Sequence, residues 1–308
     1  MRLLAFLACG VLAGIQLPGA DASGARGPIT LAVGNGAAWA GFGDGRVVRV
    51  PVAIRPQRTV VAPKITGYVG AIATGFGSVW VARHDSTVLR LDGRTGRIRA
   101  RLAPAWAPSF VDAGLAAVWV VDSGRRTLYR VDPVTNRVTG RVKIPGNPMG
   151  LAVGAGAAWV TAAPGRITGH RGRRVVWKVD PLMLRVRRLL RADCNVSLHA
   201  AGVRLWVLDN CDGSLRSINT RTGRWTVPQP TLPGAWGLTS AFGSVWVSDG
   251  ATVNRVGGPR IDVKGHALAA SRRWLWVLDM GNGITGWLRR IDPETNRVVG
   301  HRIRLSAR

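Results

Sequence analysis

Residues 75–81 read Gly75-Phe76-Gly77-Ser78-Val79-Trp80-Val81, and residues 154–160 read Gly154-Ala155-Gly156-Ala157-Ala158-Trp159-Val160. A phrase of this kind, a tight turn followed by a short apolar run holding a tryptophan, occurs seven times, anchored on Trp39, Trp80, Trp119, Trp159, Trp206, Trp246 and Trp276. Successive anchors lie 41, 39, 40, 47, 40 and 30 residues apart. A period of about 40 residues carrying several short strands is that of a propeller blade. The reading is therefore an all-β, seven-bladed β-propeller of four-stranded antiparallel blades.

The unit around Trp159 displays the four strands. Residues 150–153 form a short apolar first strand, Gly154 to Gly156 a turn in which glycine supplies positive φ, and residues 157–161 the second strand. After a long loop, residues 175–179 make the third strand and residues 185–190 the fourth. The turn between the last two is clearest in Asp132-Pro133-Val134-Thr135-Asn136-Arg137 and Asp292-Pro293-Glu294-Thr295-Asn296-Arg297. There Asp bonds back to its own turn, Pro presets φ, and Asn tolerates the left-handed region. Arg97-Ile98-Arg99-Ala100-Arg101-Leu102 alternates charged and apolar residues, the pattern of a half-exposed outer strand.

Composition agrees. Of 308 residues, 40 are Gly, and Glu294 is the single Glu, so neither a helical bundle nor a coiled coil fits. The hydrophobic share of 46% excludes disorder. Residues 1–22 read as a signal peptide: Met1-Arg2, an apolar run to Leu17, a break at Pro18-Gly19, and small residues at Ala20 and Ala22 before cleavage. The run is too short for a membrane anchor, which needs about 18 apolar residues, and no other run would span a bilayer. Residues 23–308 are then one propeller domain, expected to be exported (secreted, periplasmic or bound to the cell wall) and monomeric. Export leaves two cysteines, Cys194 and Cys211, which read as a disulfide. They lie about equally far from the turn at Gly202-Val203, so the bridge is expected to clip the first two strands of blade five.

The phrase Gly-x-Gly-x-Val-Trp-Val, followed by Leu-x-Arg-Val-Asp-Pro-x-Thr-Asn-Arg-Val-x-Gly (fullest from Leu128 to Gly140), resembles the YVTN and NHL-like propeller repeats of exported bacterial proteins. The nearest enzymes this suggests are the virginiamycin B (streptogramin) lyases, which use inner-strand histidines and acidic ligands of Mg²⁺. On that resemblance His266, ten residues before Trp276, matches the family's inner-strand histidine and would be the catalytic base. Met149 and Trp236 hold the same place before Trp159 and Trp246. Asp122, Asp209, Asp249 and Asp279 stand three residues after their blade tryptophans, where the family's acidic ligands would fall. The family uses Glu, and this chain has none there; Asp at a strand end also caps the following loop. His266 is open to two roles, a hydrogen-bonded lining residue or a base.

Lys and Arg outnumber Asp and Glu by 43 to 16, a net charge of +27, and only four of the basic residues are Lys. Such a chain seeks polyanions, yet its arginines alternate along outer strands and form no block, so Arg also reads as the generic surface charge. The densest local patch is Arg166, His170, Arg171, Arg173 and Arg174 in the long loop of blade four. The Gly-x-Gly turns are not phosphate cradles, because no helix follows them. Two function classes result. One is a non-catalytic scaffold holding a small molecule, glycan or protein on one face, with Met149, Trp236, His266 and the four aspartates as lining, no cofactor, and an anionic polymer as a further partner at Arg166, Arg171, Arg173 and Arg174. The other is a lyase, which alone would call for Mg²⁺.

Overall fold

The computed structural model describes residues 27–52, 60–61, 68–102, 107–165 and 171–306, and the expected signal segment lies outside them. The described residues form seven four-stranded antiparallel sheets and no helix. Each sheet is built from four strands consecutive in the chain; in blade four these are Asn147–Gly154, Ala157–Ala163, Arg171–Val179 and Val186–Cys194. The first strand of every blade packs against the first strand of the next, and Ala267–Ala270 of blade seven returns to Pro28–Gly34 of blade one. The first strands thus ring the axis. Among the described residues no strand is exchanged to close the ring. Leu31, Ala40 and Phe42 of blade one share an apolar cluster with Trp276, Leu278 and Leu305 of blade seven. The Arg46 guanidinium donates to the Ser306 carbonyl at 2.9 Å across the same seam.

The repeated tryptophan sits on the second strand, and six of the seven are fully buried between blades. In five blades its indole N–H donates to the carbonyl five residues earlier, at the end of the first strand: Trp39 to Gly34, Trp80 to Gly75, Trp119 to Gly114, Trp159 to Gly154 and Trp246 to Ala241, at 2.9–3.3 Å. The indole so satisfies its own polar atom while its rings fill the inter-blade space. The two glycines of the phrase have different tasks. Gly77 has φ 67° and makes the turn. Gly75 lies where neighbouring inner strands converge, and a Cβ there would come within 2.6 Å of the Ala113 Cβ.

A cation covers the other face of the tryptophan. Directly across on the third strand stand Arg49, Arg90, Lys178, Arg255 and Arg290, opposite Trp39, Trp80, Trp159, Trp246 and Trp276. Each holds its charge 5.1–5.8 Å from the ring centre. Such contacts stabilise by roughly 0.5–1 kcal/mol where water has access. Three third-strand arginines also reach the outer turn of the next blade. Arg90 donates to Asn136 Oδ1 at 3.0 Å, Arg130 to the Pro181 carbonyl at 2.7 Å, and Arg255 to the Pro293 carbonyl at 3.3 Å. Five of the arginines, Arg49, Arg90, Arg130, Arg255 and Arg290, therefore belong to the repeat itself.

Cys194 and Cys211 are bridged, with Cα atoms 6.1 Å apart. The location differs from the expected one. Cys194 is the last residue of the outer strand of blade four, because that strand runs four residues beyond the expected end at Leu190. Asn195 and Asn210 pair beside the bridge, the Asn210 N–H donating to the Asn195 carbonyl at 3.0 Å. The bridge thus staples the outer edge of blade four to the turn after the second strand of blade five.

On the first strand, the residue facing the tryptophan is Ala32, Ala73, Ala152 or Ala269 in four blades. Blades three and five place Asp112 and His199 there, both buried. Asp112 accepts the Ala113 N–H at 2.6 Å and, across the seam, the Val153 N–H of blade four at 2.7 Å. Burial outweighs those two donors and pushes its pKa up to about 8. Burial pushes His199 down to about 4.

Two measurements follow from these seams. Non-reducing peptide mapping is expected to return Cys194 joined to Cys211, and removing both sulfurs is expected to cost about 3 kcal/mol, the chain-entropy value for a loop of this size; free labelling of both thiols would overturn the bridge. For pH, the folded chain keeps the Asp112 proton to about pH 8, whereas the unfolded chain releases it near 3.8. Stability from this group is therefore full at low pH and falls as pH rises between those values, by up to about 1.4 kcal/mol per pH unit. His199 acts in the opposite sense: the unfolded chain takes a proton near 6.5 and the folded chain only near 4, so stability falls as pH drops between them. Urea midpoints are expected to lose the first slope in Asp112→Ala and the second in His199→Ala. Unchanged slopes in either variant would refute that assignment.

Candidate functional site

Four antiparallel strands put the ends of all second strands and the starts of all first strands on one face of the disc. The residues three after and ten before each tryptophan therefore share that face. Each of the four aspartates caps its own turn. Asp122 accepts the Arg125 N–H at 2.8 Å, Asp209 that of Cys211 at 2.9 Å, and Asp279 that of Gly281 at 2.9 Å. Asp249 accepts the amides of Ala251 and Thr252 at 2.9 and 2.7 Å. Each is an Asp that satisfies the first amides of a turn.

Blades six and seven bring the sequence-named residues together. The Trp236 backbone amide, just before Gly237–Ala241, donates to the Ser248 carbonyl at 3.0 Å; the His266 backbone amide, just before Ala267–Ala270, donates to the Leu278 carbonyl at 2.7 Å. Gly250 and Gly265 exchange N–H to carbonyl bonds of 3.0 and 3.2 Å, knitting the end of one blade's second strand to the start of the next blade's first. The result stacks the Trp236 and His266 rings 6.4 Å apart, with their planes at 30°. Asp249 and Asp279 lie near enough for their charges to act on the imidazole. Met149, Asp122 and Asp209 belong to blades four, three and five, so they line other parts of the same face and do not join this pair.

The hydrogen bonding of His266 settles its tautomer. Nδ1 accepts the Met280 N–H at 3.3 Å, so in the neutral ring the proton is on Nε2. Burial lowers its pKa, Asp279 opposes that, Lys264 adds to it and Asp249 opposes it again; the net direction is downward from 6.5. The ring is then neutral at neutral pH and offers a donor at Nε2. That nitrogen lies against Gly250, where a Cβ would come within 3.3 Å. Trp236 Nε1 is buried without a hydrogen-bond partner, a second donor in the same pair. The arrangement is an aromatic platform with two N–H groups and two carboxylates at its edge.

It does not fit a Mg²⁺ site. Among the described residues the one grouping of three His, Cys, Asp or Glu ligand atoms within 4.8 Å is Cys194, Asp209 and Cys211, whose sulfurs are joined to each other. Asp249, Asp279 and His266 do not form such a grouping, and each of these three already accepts a backbone N–H.

The basic loop of blade four is partly strand. Arg166 and His170 lie outside the described residues, as does the side chain of Arg171. The third strand begins at Arg171, so Arg173 and Arg174 stand on it. Arg173 is exposed, but Arg174 is turned inward: it is buried, with Nε donating to Asn195 Oδ1 at 2.6 Å and Nη1 to the carbonyls of Gly172 and Arg173 at 3.1 Å. This corrects its expected place in an anion-binding patch, because its donors are committed to holding the blade-four edge against blade five. The exposed arginines of that blade sit instead on its outer strand, at Arg187, Arg188 and Arg191.

Sequence reasoning missed Gly250, Met280, Asp112 and His199. Aligning the blades on tryptophan would have found the last two, as the titratable residues in a column otherwise of four alanines and Thr239. Gly250 and Met280 have no such signal, since they matter only through contact with His266.

No family model matches this chain, and no curated protein matches it. Solved structures do. The chain is similar to the WD40 β-propeller domain of Doa1, at 10% identity and TM-score 0.67, over 92% of this chain and 95% of that one. It is similar to hydrazine synthase of Kuenenia stuttgartiensis at 10% identity and TM-score 0.59, over 96% and 99%. For BamB from Moraxella catarrhalis the values are 14%, 0.50, and 80% of each chain. At such identities the likeness shows the propeller fold and nothing finer.

The rim can be tested by charge. Replacing Arg173, Arg187, Arg188 and Arg191 together by Ser is expected to lower affinity for heparin several-fold more than the same change at Arg97, Arg99, Arg101 and Arg141, and to flatten the salt dependence. Arg99 is already ion-paired with Asp92, whereas the blade-four four make no ion pair among the described residues. Equal losses in both variants would mean that net charge alone attracts the polymer.

Proposed function

We propose that the protein is exported after loss of residues 1–22 and serves as a non-catalytic, monomeric binding scaffold of the YVTN and NHL-like kind, holding a glycan or similar polar ring on the face that carries Trp236 and His266. The observation that supports this most is the stacked Trp236–His266 pair with its unpartnered indole N–H. Sugars present an apolar ring face and a rim of acceptors. An aromatic platform takes the first, and the N–H groups of Trp236 and His266, with the carboxylates of Asp249 and Asp279, take the second. The bridge between Cys194 and Cys211 accords with an oxidising compartment.

The geometry favours binding over elimination. A base needs a free lone pair, and in His266 the Nδ1 pair is occupied by the Met280 N–H while Nε2 carries the proton. Each aspartate that would replace the family's Mg²⁺ ligands gives a carboxylate oxygen to its own turn, and among the described residues Asp249, Asp279 and His266 do not gather into a metal-ligand grouping.

Tryptophan fluorescence titrated with a panel of cell-wall and storage oligosaccharides is the test. At least one class is expected to bind, with affinity reduced about tenfold or more in Trp236→Ala and clearly reduced in His266→Ala. Gly250→Val is expected to weaken binding as well, by pressing on the imidazole. Binding that survives Trp236→Ala unchanged would refute the site, and Mg²⁺-dependent opening of a cyclic depsipeptide would refute the non-catalytic reading.

A further inference from the structure

The opposite face of the disc carries the turns between third and fourth strands, and in blades two to five and seven these turns share one design. An Asp or Asn at the first position accepts the next two free amides and holds the tip rigid, while the residue two places on points outward. At that place blade two has Arg94, blade three Val134, blade four Leu182 followed by Met183, and blade five Arg221. Val134 is 81% exposed, Leu182 79% and Met183 66%. Large apolar side chains at these tips have no role in the fold, since Thr, Arg or Glu would serve the turn equally. Blade seven indeed uses Glu294, the chain's only Glu.

The tips are fixed as well as exposed. Asp132 Oδ1 accepts the amides of Val134 and Thr135 at 2.7 and 2.8 Å, and Asp180 Oδ1 those of Leu182 and Met183 at 2.9 and 2.8 Å. Arg90 and Arg130 clamp the same two turns from the preceding blades. Each turn ends in an exposed arginine, Arg137 and Arg185, and Trp225, 38% exposed, follows the turn of blade five. An arc of rigid apolar tips, flanked by arginine tips and closed by a half-exposed tryptophan, therefore spans blades two to five.

We infer that this face docks onto an anionic lipid bilayer surface, with Val134, Leu182 and Met183 entering the headgroup region and Arg94, Arg137, Arg185 and Arg221 meeting the lipid phosphates. Apolar burial and attraction of basic residues to anionic headgroups add in such binding, and the net charge of +27 supplies the complementarity. A soluble polyanion would satisfy the arginines but gain nothing from the apolar tips. Glu294 on the far side makes the docking one-sided. The ligand face, at the other end of the strands, is left open to solvent. No helix among the described residues could cross a membrane, so the contact lies at the surface.

The test is co-sedimentation of the mature chain with vesicles of phosphatidylcholine containing one quarter phosphatidylglycerol, with pure phosphatidylcholine alongside. Binding is expected to the anionic vesicles, weakly or not at all to the neutral ones, and to fall about tenfold or more in the combined Val134→Ser, Leu182→Ser, Met183→Ser variant, whose melting should match the parent because all three positions are exposed. The rim variant lacking Arg173, Arg187, Arg188 and Arg191 is expected to keep binding within a few-fold. As a second readout, brominated acyl chains are expected to quench Trp225, so quenching should drop in Trp225→Phe. Overturning results are an apolar-tip variant that binds like the parent, which would leave net charge as the whole cause; a parent that ignores anionic vesicles; or quenching that is undiminished in Trp225→Phe. Oligosaccharide titration of the same variants reads the opposite face separately.

Discussion

The bond from the tryptophan indole to the carbonyl five residues before it is the constraint on which the rest of the molecule depends. It joins the second strand of a blade to the end of the first, where the chain reverses and where inner strands of neighbouring blades come closest. In five blades the ring is buried with its one polar atom satisfied, so the inter-blade space is filled there without an unpaired donor, whereas Trp276 Nε1 is buried without a partner. A third-strand cation then covers the ring in five blades, and Arg90 and Arg255 among them continue to the outer turn of the next blade. One repeated residue thereby organises three strands of its own blade and the seam to its neighbour.

That economy explains why the ring needs no shared strand. Where many propellers are imagined as needing a clasp, here blade seven meets blade one through the same packing as any other pair, reinforced by Arg46 bonding the Ser306 carbonyl. The disulfide among the described residues lies elsewhere, between blades four and five, and it belongs to an outer hairpin whose two strands each run nine residues. Covalent reinforcement follows the longest exposed edge in this half of the ring rather than the point of closure. Long unpaired edges are where strands fray or pair wrongly, so the staple and the exposed arginines on that edge act to the same end.

The fold was legible because the turn between the first two strands and the start of the second keep their spacing in most blades, so in blades one, two and four tryptophan follows the same two glycines by five and three residues. The cation opposite most of the tryptophans was not legible, since the turn between second and third strands varies: Arg90 follows Trp80 by ten residues, whereas Lys178 follows Trp159 by nineteen. The same variation hid Arg174, read as loop and found on a strand with its charge turned inward. For the cysteines the pairing was legible from export and equal spacing, but the blade was not, because a strand that ends at Cys194 rather than at Leu190 moves the bridge from within a blade to between two. At the ligand face, Trp236 and His266 were readable as equivalent positions of successive repeats. Their mutual stacking required knowing that Gly250 and Gly265 join the two blades.

The two faces are built on different rules, and this difference bears on function. On the face of Trp236 and His266, turns vary in length and each blade contributes a different residue at the strand start, from Gly70 to Trp236, as suits a site that reads one particular ligand. On the other face the turns of blades two to five and seven repeat one rigid, Asx-capped geometry, and what varies among them is the outward side chain. A surface with invariant backbone and graded side chains, apolar at blades three and four, basic at two and five, acidic at seven, discriminates by position around the ring rather than by pocket shape. That is suited to a broad, featureless partner met in one orientation, and it would hold the ligand face pointing away from whatever the lower face rests on.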